Sequence, residues 1–444
     1  MILKQKVNFF WFRRDLRLHD NAGLYHALRG DLPVVPLFIF DTDILDRLPR
    51  RDARVEFIHR AIVALSDALR HHGSDLLVRV GKPAEVWAQL CDSYDIGAVF
   101  TNRDYEPYAL ARDARVAQLL AEKGAQFRTF KDHVIFEKDE VLKEDKQPYV
   151  VFTPYSVKWR AMLQSRLEAD GSSFFLKEYP VERYLRQLSQ MSPLPIPSLA
   201  DIGFEPAGIP FPHVEVAQGL IRNYENTRNF PAIQGTSRLG VHFRFGTISI
   251  REKARKALAL SGVFVNELIW RDFYSQILAH FPHVAEGPFR PQYARIAWRD
   301  DPEAFERWKT GTTGYPIVDA GMRELSATGF MHNRVRMITA SFLSKHLLLD
   351  WRLGEAWFAE KLLDFDLASN SGGWQWAAGC GTDAAPYFRI FNPTEQTKKF
   401  DKNLEYVKKW VPELNTARYP KPIVDHAFAR QRCLEVYKEA LGGA

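Results

Sequence analysis

A chain of 444 residues exceeds one ordinary hydrophobic core, and 46% hydrophobic with 26% charged residues describes a globular protein of two domains. Lys and Arg outnumber Asp and Glu by 60 to 54, a net charge of +6 that favours a polyanionic partner without requiring one. Three scattered cysteines exclude a disulfide scaffold, and no apolar run reaches the roughly 18 residues of a membrane span, so a reducing cytoplasm is expected, or a nucleus in a nucleated host.

The first apolar run stops at Arg13-Arg14, too short for a signal peptide. Val7 to Phe12, Val34 to Phe40, Leu76 to Val80, Ala98 to Thr101 and Phe127 to Phe130 read as strands. Helical patterns at Ala22 to Leu28, Ala53 to His71, Ala84 to Cys91 and Ala109 to Glu122 lie between them. This alternation predicts an α/β domain over residues 1–130, a doubly wound sheet of five parallel strands. Neither GxGxxG nor a Walker loop follows the first strand. Arg13, Arg14, Asp15 and Arg17 there read as a salt-bridged surface turn, with Asp20 capping the next helix. Residues 131–195 read as a connector holding at most one short helix, Val157 to Leu167. From 196 to 444 an all-helical domain is expected, with helices such as His213 to Tyr224, Ile250 to Ala259, Val263 to His280, Pro302 to Lys309, Ile317 to Thr328, Asn333 to Leu348 and Leu353 to Leu363.

Four segments carry chemistry. Gly235-Thr236-Ser237-Arg238-Leu239-Gly240 offers backbone N–H groups, two hydroxyls and a guanidinium suited to a pyrophosphate, although Thr-Ser before a helix equally caps it; Tyr224 lies just upstream. Glu267 and Trp270, one helical turn apart, suit a flat ring with a polar edge, or a core Trp with a rim Glu. Asn333, Arg336 and Met337 share a helix face, and Arg334 and Arg336 require anions, phosphate for one and Asp364 for the other. The stretch from Leu363 to Pro393 holds Asp364, Asp366, Asn370, a Gly-Gly pair, Trp374 and Trp376, too mixed for an ordinary core helix. It reads either as a turn between core helices or as a place where backbone and indoles meet a flat ligand. Trp298, Trp351 and Trp374 form a separate aromatic set, and no His, Cys, Asp and Glu set has metal-ligand spacing.

These segments, with Trp11 to Arg17 and Thr313 to Arg323, resemble the photolyase and cryptochrome family in order along the chain, and most resemble its class I cyclobutane pyrimidine dimer DNA photolyases. The resemblance implies an antenna domain followed by a helical domain holding one FAD, fully reduced when active. It implies that Tyr224, Thr236, Ser237, Arg238, Leu239, Gly240 and Phe264 hold the cofactor on the phosphate side. Arg336, Asp364, Phe365, Asp366 and Asn370 would hold its flavin side, with Asn370 facing N5. A pyrimidine dimer flipped out of UV-damaged DNA would stack on Trp270 and Trp376, bond Glu267 and meet Arg271, Tyr274, Asn333, Arg334 and Met337. Glu267, Asn370, Trp270 and Trp376 are the catalytic set so implied, and Trp374, Trp351 and Trp298 the electron relay. Asn333 stands where (6-4) photolyases carry histidine. Tyr108-Ala109 depart from the folate-binding pattern, which leaves the antenna chromophore a deazaflavin, another flavin or none. A monomer is expected; the alternative is a blue-light photoreceptor of the same fold without repair.

Overall fold

Continuous apolar runs such as Val34–Asp41 are what a parallel strand buried on both faces requires, and this strand is buried at every position. A computed structural model describes residues 5–442. Strands β1 (Lys6–Phe12), β2 (Val34–Asp41), β3 (Leu77–Gly81), β4 (Asp95–Asn102) and β5 (Gln126–Phe130) form one sheet in the order β3-β2-β1-β4-β5. All pairs are parallel, with Phe9 opposite Val35 on one side and Val99 on the other. Helices α1 (Ala22–Leu28), α2 (Ala53–Arg70), α3 (Pro83–Ser93) and α4 (Pro107–Glu122) connect them. Trp87 of α3 meets Phe9 and Trp11 edge-on, at 5.5 and 5.8 Å, and closes one face of the sheet.

The turn after β1 is buried rather than superficial. Arg13 pairs with Asp113 at 2.5 Å, Arg14 with Asp104 at 2.9 Å and Arg17 with Asp132 at 2.8 Å, so each guanidinium finds a carboxylate contributed from far along the chain. Burial pushes the Asp15 carboxyl up to about 6, although Arg13 N and Asn102 both donate to it. Asn21, not Asp20, caps α1: its Oδ1 accepts from Leu24 N at 3.2 Å. Asp20 is fully buried and takes Arg251 Nε at 3.0 Å.

The chain divides into two compact units that interleave. One holds the sheet with Arg160–Val214 and Leu239–Lys256; the other holds Lys138–Trp159, Glu215–Arg238 and everything from Ala257 on. The stretch read as a connector therefore contributes to both, and its helix α5 starts early, at Phe152–Gln164. The second unit contains α6 (Gly262–His280), α7 (Pro316–Thr328), α8 (Asn333–Ser341), α9 (Trp351–Lys361), α10 (Leu367–Ala378) and α11 (His426–Ala440). The helix expected at 213–224 shrinks to two short pieces, Gln218–Arg222 and Tyr224–Thr227, because only Ile221 turns inward and tertiary packing gives the rest little support. The one expected at 333–348 widens after Ser341 into a π-turn, Phe342–His346, all of it buried. Among the described residues no helix is long and apolar enough to cross a membrane.

Candidate cofactor and substrate site

The mixed stretch read as unfit for a core helix is helical after all. Asp366 caps α10 through Ser369 N at 3.1 Å, and Gly379, at φ 86°, ends it. A Cβ at Gly372 would lie 2.2 Å from the Tyr274 ring, whereas one at Gly373 would meet nothing within 4 Å. The first glycine therefore brings α10 against α6 rather than against a flat ligand, and only the second faces open space. Buried Gln375 anchors the helix from behind, donating to Val284 O at 2.9 Å and accepting from Phe289 N at 2.8 Å. Asn370 donates its Nδ2 to Glu355, at 2.7 Å to Oε1 and 3.1 Å to the carbonyl. Its Oδ1 is thereby fixed as the pole it presents, an acceptor. Burial pushes the Glu355 carboxyl up.

Arg336 Nη2 reaches both oxygens of Asp364, at 3.1 and 3.0 Å, and its Nε donates to Met331 O at 2.8 Å. The two side chains keep 24% and 23% exposure, which leaves the pair open to a ligand on one side. Arg238, held at φ 53°, lies 4.3 Å over the Phe330 ring, which Arg336 approaches at 6.0 Å. The segment expected to hold phosphate is divided between the units, Gly235 to Arg238 in the helical one and Leu239 and Gly240 in the other. A Cβ at Gly235 would sit 2.9 Å from Thr227 O, so glycine is needed for that approach. Thr236 and Ser237 are half-buried. Tyr224 meets Phe264 edge-on at 5.2 Å, and burial together with Glu267 raises its hydroxyl pKa. Phe365 is half-buried beside Asp364.

On α6, which Ser261 caps through Phe264 N at 3.2 Å, Glu267 forms an ion pair with Arg228. Burial raises its carboxyl pKa despite that cation. Trp270 stacks on Phe152 at 3.6 Å and on Tyr274 at 5.5 Å, and Arg271 is half-buried. On α8 Asn333 is exposed, and Arg334 donates to Asn229 Oδ1 at 2.7 Å with its Nη1 3.6 Å from Met337 Sδ. The Arg334 Nε is buried and has no partner among the described residues. Burial and the neighbouring Arg228 and Arg389 lower the Arg334 pKa, the signature of a cation cluster short of an anion. Trp376 is half-buried, 6.4 Å from Phe391. Trp374 is 2% exposed, and a Cβ at Gly354 would lie 2.1 Å from its ring. Trp351 and Trp374 are both buried in one hydrophobic cluster, against which half-buried Trp298 packs, meeting Tyr437 at 6.0 Å.

Two family models match, the FAD binding domain of DNA photolyase over residues 264–418 and DNA photolyase over residues 8–172. The chain is 38% identical to the deoxyribodipyrimidine photo-lyase of Halobacterium salinarum, with 98% of this chain and 100% of that one covered. It belongs to the DNA photolyase family. A bacterial class III photolyase from Agrobacterium tumefaciens shares the fold at a TM-score of 0.83 and 32% identity, covering 99% of this chain and 98% of that one. An archaeal photolyase from Sulfolobus tokodaii, solved with two FAD molecules, matches at 0.80 and 32%, covering 98% and 100%.

The five-stranded parallel sheet and helical FAD-binding region expected from the sequence are thus present. The site also fits the cofactor: a half-open Arg336–Asp364 pair, an amide with its acceptor pole defined and a glycine facing open space suit a polar ring. Sequence reasoning missed Arg228, Phe152 and Glu355. Arg228 follows Tyr224 by one turn in Tyr-Glu-Asn-Thr-Arg, a faint signal for a neighbour of the same site. Nothing local marks Phe152 or Glu355. His19, Glu178 and Glu182 also gather on the exposed surface of the sheet unit, with ligand atoms within 4.8 Å of one another, a grouping common on surfaces without a metal ion.

Proposed function

We propose that the chain reverses cyclobutane pyrimidine dimers in DNA under blue or near-ultraviolet light, acting as a monomer in the compartment that holds DNA. The observation that carries this reading is the pairing of α6 and α10 through Gly372 and Tyr274. Glu267 and Trp270 lie on α6 and Asn370 and Trp376 on α10, with Asp364 two residues before the α10 cap, and the contact between the two helices supports one site for them.

A fully reduced FAD held here would supply the light-triggered electron that splits the two cyclobutane bonds, with the electron returned once they have broken. Thr236 to Arg238 and Tyr224 would hold its phosphates through N–H and O–H donors. Arg336 and Asp364 would offer the ring a donor and an acceptor, and Asn370 would offer it an acceptor. Trp270 and Trp376 stack on the flipped-out bases and exclude water, and Glu267 accepts from their Watson–Crick edge. Arg334, with Arg228 and Arg389 nearby, takes DNA phosphate; this contact is independent of sequence and weakens with salt. Trp374, Trp351 and Trp298 would pass electrons from an external reductant to an oxidised flavin held here, restoring its reduced state.

Purified, reduced protein is mixed with UV-irradiated oligothymidylate and illuminated, and dimer loss is followed by the return of absorbance near 260 nm. Dimers are expected to disappear in light and persist in darkness. Equal repair in darkness, or none in light, overturns the reading.

A further inference from the structure

Phe152 lies in a stretch whose sequence reads as a connector, yet residues Lys138–Trp159 belong to the helical unit. Phe152, Tyr155 and Trp159, spaced i, i+3 and i+7, form one face of the first turns of α5. That face is fastened to α6 at three points. Trp159 Nε1 donates to buried Asp272 at 3.0 Å, the Tyr155 ring lies 5.2 Å from Phe273, and Phe152 lies flat on Trp270. The last two rings are 3.6 Å apart, with planes 2° from parallel.

A free pair of aromatic rings prefers an offset or edge-to-face arrangement to direct face-to-face overlap. The backbone around Phe152 explains the exception. Phe152 N donates to Asp383 Oδ2 at 3.1 Å, and Thr382 Oγ1 donates to Val150 O at 2.6 Å. Asp383 is itself held in the left-handed region at φ 44°, a conformation that persists only where the surroundings enforce it. The loop after α10 thus presses Phe152 onto one face of the indole, and Tyr274, stacked 5.5 Å away, borders it as well.

We propose that Phe152 is a positioning residue for the substrate: it backs Trp270 and, together with Tyr274, fixes the tilt at which the indole meets one flipped-out base. The proposal rests on the repair reading above and adds a third ring to the stack, base on Trp270 on Phe152. Leucine at 152 keeps apolar volume but not the flat support, and tyrosine keeps both.

The test uses the FAD-loaded full chain and one duplex, with and without a single thymine dimer, at one salt concentration. Phe152→Leu is expected to lower affinity for the dimer duplex about two- to tenfold, leave binding to the undamaged duplex unchanged and retain FAD. Phe152→Tyr is expected to behave as the parent. In a Trp270→Leu background Phe152→Leu is expected to have no further effect. Unchanged or tighter dimer binding by Phe152→Leu overturns the proposal, tighter binding marking Phe152 as a plug that the base displaces; so does an equal loss in the Trp270→Leu background. Should Phe152→Leu lose FAD, Phe152→Met, which is unbranched and also apolar, carries the same comparison. Failure of the parent itself to prefer the dimer duplex overturns the repair reading instead, so the two failures are distinguishable.

Discussion

Adjacent glycines in α10 are expected to respond to the same substitution with opposite signs. A methyl group at Gly372 would lie 2.2 and 2.3 Å from two carbons of the Tyr274 ring. Ordinary contact begins near 3.4 Å, so α10 and α6 must part by about 1 Å or the ring must turn. The ring has little room, stacked 5.5 Å from Trp270 and tilted 5.7 Å from Phe273. Overpacking of this kind costs about 1–3 kcal/mol, offset by about 0.5–1 kcal/mol from the lower unfolded-chain entropy of alanine in a helix. Gly372→Ala is therefore expected to destabilise the protein by about 1 kcal/mol, up to about 2.5 kcal/mol. At Gly373 a methyl group meets nothing within 4 Å, so only the helix term remains and Gly373→Ala is expected to stabilise by about 0.5–1 kcal/mol. Heat denaturation of flavin-free protein, followed by circular dichroism at 222 nm, compares both variants with the parent. A Gly372→Ala midpoint at or above the parent, or a Gly373→Ala midpoint as low as that of Gly372→Ala, refutes the packing argument.

Glu267→Ala is expected to lower repair about tenfold, the loss of one hydrogen bond to a charged group, with flavin content unchanged; an unaltered repair yield removes Glu267 from the mechanism. Trp351→Phe is expected to slow light-driven reduction of the oxidised flavin at least tenfold while sparing repair by chemically reduced protein. Failure of both assays assigns Trp351 to packing. His332 is buried, and its Nδ1 caps α8 through Arg334 N at 3.1 Å. Burial, then Arg336 and Arg334, hold its imidazole down to about 4 from an ordinary 6.5. The fold keeps His332 neutral while the unfolded chain takes up a proton, so this contribution is complete above pH 6.5 and is lost as pH falls toward 4, at about 1.4 kcal/mol per pH unit. His332→Asn keeps a capping oxygen and is expected to flatten the decline of stability between pH 6.5 and 4 by about that slope; an unchanged slope in urea titrations contradicts it.

Much of the scaffold was legible because its signals are local. Strands buried on both faces read as unbroken apolar runs, and Pro302–Lys309 was found at its observed bounds because Asp301 caps it and Thr310 follows. Pro316–Thr328 ends where Gly329 adopts φ 64°. Reading failed where function rather than propensity chose the residue. In α10, Asn370, Gly372 and Gly373 are poor helix formers, yet each has a tertiary reason that no window of sequence contains: Glu355 for the amide, Tyr274 for the first glycine and open space for the second. The Arg336–Asp364 pair was anticipated, whereas Arg228 and Glu267 were not paired, because the short helices around Arg228 lack the periodic burial that would have announced them. Phe152 shows the same limit from the other side. Its spacing with Tyr155 and Trp159 is an ordinary helical face, and what makes it matter is the indole of another helix, fixed by a loop that follows a third. Individual segments of this chain can therefore be read for the kind of chemistry they supply, but which face of which ring is free for the substrate is decided by packing among segments remote in sequence.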